Sequence, residues 1–187
     1  MRCVEGRGTP DHLSQMPKLL TPRMRHLEAR EWIPLPLKEV HAFFSEAQNL
    51  EKITPPEVGF TIMSPLPIVM RVGALIEYRV KLFGFPMRWS SEITSWNPPH
   101  DFTDDQVRGP YAVWSHTHSF REENGGTLLL DSVKYAVPFS WLPGVALVER
   151  FLVRPELRRI FEYRKIALRQ HFSFKDSDEH QGSLIFS

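Results

Sequence analysis

The chain has 187 residues, 42% of them hydrophobic, enough for one sizeable core and too few for two separate domains. Its 23 basic and 22 acidic side chains leave a formal charge of +1, so nothing in the overall balance calls for nucleic acid. A single cysteine, Cys3, excludes an intramolecular disulfide and a cysteine-based zinc site and fits a reducing cytoplasm, and no stretch approaches the roughly 18 apolar residues of a membrane span.

Residues 1–22 carry Gly6, Gly8, Pro10, Pro17 and Pro22 without apolar periodicity and without the continuous apolar segment of a secretory signal. They read as a disordered leader, with Met1, Met16 and Met24 as alternative starts. Met24 to Ile33 forms a first strand, with Leu27, Ala29, Glu31 and Ile33 on one parity, and it stops at Pro34 and Pro36. Val40, Phe43, Phe44 and Ala47 then fall at helical spacing, and Asn49 to Thr54 makes a second short helix closed by Pro55-Pro56.

Six further strand patterns follow, over 58–63, 74–83, 87–96, 101–107, 111–121 and 127–137. Their breaks are Gly84, Asn97-Pro98-Pro99, Gly109-Pro110 and Asn124-Gly125-Gly126, the chemistry of tight turns in an antiparallel meander. Beyond Pro138 and Pro143 the period becomes helical, and Leu157, Ile160, Phe161, Ala167 and Leu168 carry an apolar stripe to about His171. Pro155 inside it must kink the helix or start a new segment. Residues 173–187 are expected to form a loose tail, which leaves 23–172 as the domain.

Strand, two short helices, six antiparallel strands and a long C-terminal helix is the order of the α+β helix-grip fold, in which a curved sheet of about seven strands wraps the last helix around a cavity. The run Phe102-Thr103-Asp104-Asp105-Gln106-Val107-Arg108-Gly109-Pro110-Tyr111 followed by Trp114, His116, His118 and Phe120 resembles bacterial, ligand-binding members of the SRPBCC superfamily, the START, pollen-allergen and polyketide-cyclase group. Gly126-Thr127, the run from Asp131 to Pro138 and the run from Arg159 to Arg164 extend the resemblance over about Met24 to Phe172. It implies binding of an apolar small molecule, with catalysis in some branches and not in others.

Strict alternation from Tyr111 to Phe120 puts Trp114, His116, His118 and Phe120 on one face of a strand. The same parity on neighbouring strands adds Phe102, Asp104 and Gln106 on one side and Asp131, Val133 and Tyr135 on the other, and these with Trp89 are the expected ligand-binding wall. Two readings stay open for its polar members. They satisfy one another, with Asp104 or Asp131 anchoring an imidazole N–H, or they orient a ligand.

No metal or other cofactor is expected. Histidines two apart on a strand stand about 6 to 7 Å apart at the backbone and can converge on an ion, but a third ligand would have to be Asp104, Asp131 or another histidine, none at a diagnostic spacing. His12, His26, His41, His100, His171 and His180 receive no role. Gly125-Gly126 is a hairpin turn rather than a phosphate loop. There is no Gly-x-Ser-x-Gly elbow, and the cysteine lies in the leader, so a covalent mechanism is not indicated.

The preferred function is a noncatalytic carrier or sensor of a hydrophobic, aromatic or lipid-like small molecule. One alternative is a metal-independent cyclase, dehydratase or hydrolase in which His116, His118 or Asp131 moves a proton and Tyr135 stabilises an oxyanion. Another is a partner-binding module using the apolar loops Pro65 to Met70 and Phe139 to Val145, both expected to border the cavity entrance. Arg150, Arg154, Arg158, Arg159, Arg164, Lys165 and Arg169 outnumber Glu149, Glu156 and Glu162 along the last helix. They read mostly as a solvated face, with transient contact to an anionic membrane as a further option.

Overall fold

The computed structural model describes residues 21–174 and 182–187, so most of the expected leader and the polar run 175–181 lie outside the described residues. The elements run β1 (Arg25–Ile33), α1 (Leu37–Phe44), α2 (Asn49–Lys52), β2 (Thr61–Ile62), β3 (Leu75–Leu82), β4 (Phe85–Asn97), β5 (Asp101–Arg108), β6 (Val113–Glu123), β7 (Gly126–Ala136), α3 (Val145–Val148), α4 (Arg154–His171) and β8 (Ser183–Phe186). All strand pairs are antiparallel, in the order β2-β3-β4-β5-β6-β7-β1-β8.

The meander is built by its turns. Phe83 and Gly84 both take positive φ, as do Asn124 and Gly125, so the β3–β4 and β6–β7 hairpins close through two-residue loops whose twist matches that of the strands. The strand expected over 58–63 shrinks to Thr61–Ile62, because Pro56–Val58 winds into a 3-10 turn and Gly59 follows at φ 54°. The β1 strand leaves the meander order and pairs with β7, which joins the two ends of the sequence in one sheet.

The tail expected to be loose supplies an eighth strand instead. Leu27 faces Phe186 and Ala29 faces Leu184 across the free edge of β1, and His26 and Ser187 exchange backbone hydrogen bonds of 3.0 and 2.9 Å. Four residues are too few to carry a periodic signal. They pair because β1 offers unpaired backbone groups and because Leu184 and Phe186 pack against Leu27, Val133 and their neighbours.

Pro155 acts as expected of a proline in a helical pattern. A π-helical turn spans Glu149–Val153, and α4 starts anew with the proline in its first turn, where no N–H is needed. From there α4 crosses the concave face of the sheet. One core cluster gathers α1 and the C-terminal half of α4 around Phe44, Phe102 and Leu168; a second lies under Leu157 and Phe161; a third holds Val58, Val80, Leu82 and Trp89. Deleting residues 183–187 is expected to cost roughly 1–2 kcal/mol of unfolding free energy, from the half-buried Leu184 and Phe186 side chains, while leaving the fold intact in circular dichroism.

Candidate functional site

Register decides the site. Across β5 and β6, Phe102 stands opposite His118 and Asp104 opposite His116; across β6 and β7, His118 stands opposite Asp131 and His116 opposite Val133. The two imidazoles therefore lie between two carboxylates, with ring centroids 3.9 Å apart. His116 Nε2 is 3.0 Å from Asp131 Oδ1, and His118 Nδ1 approaches the same oxygen at 2.7 Å but out of line for a hydrogen bond. The opposite edges of the rings face Asp104 Oδ2, His116 Nδ1 at 3.8 Å and His118 Nε2 at 3.6 Å. From α4, Arg164 Nη1 donates to Asp131 Oδ2 at 3.2 Å.

Both imidazoles, Asp131 and Arg164 are buried, so charge must be balanced locally. Burial would raise the Asp131 carboxyl, but the Arg164 guanidinium and the imidazoles outweigh it and hold Asp131 well below the usual carboxylate range. Burial also opposes ionisation of Asp104, where the two imidazoles prevail and lower its pKa. His118 is driven down by burial but raised overall by Asp131 and Asp104, whereas burial and the neighbouring His118 lower His116. The two carboxylates and Arg164 thus set the rings apart, His118 holding a proton more readily than a free imidazole and His116 less readily.

This cluster forms the polar floor of a cavity of about 140 Å³ whose remaining wall is mostly apolar. Trp89, Phe102, Asp104, Trp114, His116 and His118 of the expected wall line it. Asp131 sits behind the imidazoles. Val133 is core, and Phe120 packs on Phe44 and the His41 ring instead. Gln106 clamps the β5–β6 loop through the backbone of Tyr111, accepting from its N–H and donating to its carbonyl. Tyr135, the expected oxyanion partner, lies outside the lining; its hydroxyl donates to Glu149 Oε1 at 2.8 Å, and burial and Glu149 push its pKa up.

Five polar contributors were not in the expected wall: Thr54, Tyr78, Ser91, Tyr111 and Arg164. Ser91 accepts from the Trp89 indole N–H at 3.1 Å and lies 3.1 Å from the Tyr78 hydroxyl, whose pKa burial and Asp104 raise strongly, leaving a neutral phenol. Parity extended from Trp89 along β4 reaches Ser91, and Tyr78 is the register partner of Trp89. No such signal marks Arg164, which belongs to a charged stretch. Its neighbours are also less free than a solvated face implies: Arg154 pairs with Glu149, Arg159 with Glu57 and Glu156, and Arg169 with Glu31. Of the two apolar loops, the first gives Met70 to the cavity wall, while Phe139, Trp141 and Leu142 are exposed and away from it.

The profile of the family described as polyketide cyclase / dehydrase and lipid transport matches residues 33–160, more than half of the chain. The chain belongs to this family. Among solved structures, this member of the polyketide cyclase / lipid-transport family is similar to the Zhui aromatase/cyclase from Streptomyces sp. R1128, with a TM-score of 0.63 and 14% identity over 81% of this chain and 94% of that one. It is also similar to the ginseng major latex-like protein 151 from Panax ginseng, with a TM-score of 0.59 and 13% identity over 80% and 97%. Protein Ms6760 from Mycobacterium smegmatis aligns with a TM-score of 0.56 and 19% identity over 78% and 92%. At these identities the likeness carries the helix-grip fold and not a reaction. No curated protein matches.

The charge balance has measurable consequences for this family member. Asp131→Ala strands the buried Arg164 guanidinium and is expected to cost about 3–5 kcal/mol in urea unfolding; Asp104→Asn, at the rim of the cluster, is expected to cost about 1–2 kcal/mol. Because the folded Asp131 pKa is depressed, its stabilisation is present above the unfolded carboxylate pKa and is lost as pH falls through the folded value. Unfolding free energy measured against pH should therefore decline below about pH 4, and more shallowly in a stably folded Arg164→Met variant.

Proposed function

We propose that the protein binds a hydrophobic or aromatic small molecule in its internal cavity, as a carrier or sensor working in a reducing compartment such as the cytoplasm. The observation that carries this reading is the composition of the cavity: an apolar wall with the rings of Trp89, Trp114, Phe102 and Tyr111, and one polar floor made by Asp104, His116, His118, Ser91 and Tyr78. Apolar area supplies affinity, and one localised set of donors and acceptors supplies orientation. A cavity of about 140 Å³ takes a compact, ring-sized ligand as it stands. Among the described residues no helix is long and apolar enough to cross a membrane.

Trp89 and Trp114, 5.3 Å apart at the cavity, serve as reporters. Titration with a small aromatic probe such as naphthol is expected to change tryptophan emission saturably at one equivalent. Ile76→Trp, which grows a side chain into the same space, is expected to weaken the probe at least tenfold with an unchanged far-ultraviolet spectrum. Probe affinity unaffected by Ile76→Trp would place binding elsewhere.

A second reading is acid–base catalysis of a cyclisation or dehydration, and the observation favouring it is that His116 and His118 reach the cavity while backed by Asp131. In that reading the neutral Tyr78 phenol, rather than Tyr135, stands where an oxyanion would need a donor. Replacing His118 would then abolish turnover of a bound substrate while sparing its affinity, whereas a carrier has no turnover to lose.

A further inference from the structure

Spacing along the chain offers two histidines and no third ligand, but the register of β5 against β6 supplies one. We propose that Asp104, His116 and His118 form a binding site for a borderline first-row divalent cation such as Zn²⁺, Fe²⁺ or Co²⁺, open toward the cavity. One ligand atom from each residue lies within 4.8 Å of the others. The distances to Asp104 Oδ2, 3.8 Å from His116 Nδ1 and 3.6 Å from His118 Nε2, are a few tenths of an ångström longer than the roughly 3.4 Å edge of a tetrahedral site with bonds of about 2.0–2.2 Å. The third edge, between the two imidazole nitrogens, lies within 4.8 Å, so the site is completed by the two rings and Asp104 closing inward on the ion.

The orientation of the rings is the stronger argument. Each imidazole turns one nitrogen to Asp104 and the cavity and the other to Asp131: His116 through Nε2 at 3.0 Å and His118 through Nδ1 at 2.7 Å. Metal-binding histidines characteristically direct their second nitrogen to a carboxylate or carbonyl, which fixes the tautomer and raises the basicity of the ligating nitrogen. Asp131 Oδ1 is hydrogen-bonded to His116 Nε2 and lies within reach of His118 Nδ1, and Arg164 holds the carboxylate there from α4. His118 Nδ1, buried and without an aligned hydrogen-bond partner, has a donor role to fill once Nε2 is committed to an ion.

Two imidazoles and one carboxylate suit borderline divalent ions and disfavour Ca²⁺ and Mg²⁺, which take oxygen ligands. Three protein ligands leave at least one coordination position, and it faces the cavity, where Asp104, His116 and His118 all border the same space as Ser91 and Tyr78. An oxygen or nitrogen atom of a cavity ligand would fill it. The site concerns the polar floor alone and stands whether or not the cavity takes an organic molecule.

The test uses the full chain, stripped with a chelator and titrated with Co²⁺ and then Zn²⁺, followed by calorimetry and by the visible absorption of the Co²⁺ form. The expected result is one equivalent bound, with a ligand-field band intense enough for four or five coordination and no competition from millimolar Ca²⁺. Asp104→Asn and His118→Gln, each confirmed folded by circular dichroism, are expected to weaken binding at least tenfold and lose the band, while the exposed His100→Gln keeps both. No stoichiometric binding, or binding that survives Asp104→Asn and His118→Gln, overturns the site. The second outcome assigns the ion to histidines elsewhere. Zn²⁺ is also expected to raise the melting temperature of the parent protein and of His100→Gln but not of the two ligand variants.

Discussion

The contact on which the rest depends is Arg164 to Asp131. It joins α4, the longest helix among the described residues, to β7 through two buried charges, and neither tolerates the interior without the other. Because Arg164 is fixed there, Phe161 one turn earlier on α4 comes to rest 5.9 Å from the His116 ring, and the helix roofs the cavity instead of filling it. An aliphatic pair at the same positions would pack as well but would leave no reason for a polar floor. The cavity and the charge cluster are therefore one construction.

The cluster also sits at the seam between two bodies of apolar packing. His118 stacks on Phe102 at 4.5 Å and touches Phe44 on the side of the first core, while His116 meets Phe161 and Trp114 on the side of the second. Rings on both sides fix the imidazole planes, and the carboxylates set which nitrogen points where. Such constraint serves a binding site: polar atoms held rigidly by apolar neighbours lose little freedom when a ligand or ion arrives.

A family membership that spans cyclases, dehydrases and lipid-transport proteins leaves chemistry to the residues at the floor. Here the floor is ionised and histidine-rich, and its phenol is Tyr78, held neutral by burial beside Asp104. The basic character of the last helix is largely used up in pairs with Glu149, Glu57, Glu156, Asp131 and Glu31, so its arginines brace the fold more than they present a charged surface.

Period and punctuation in the sequence were enough for the fold class. Strict alternation marked β6, the turns at Gly84 and Asn124-Gly125 marked the β3–β4 and β6–β7 hairpins, and Pro155 marked the restart of α4, because each is a local rule of backbone and side-chain geometry. Parity likewise found the inward face holding Asp104, His116, His118 and Asp131. It could not tell cavity from core along that face, since Phe120, Val133 and Tyr135 share the parity of the histidines and differ only in what α1, α3 and the π turn lay over them. Three things were left to the tertiary structure: the pairing of a four-residue tail with β1, the burial of Arg164 and the convergence of three ligand atoms from two strands. Each depends on atoms far apart in the chain, where no periodicity reaches and only register and packing decide.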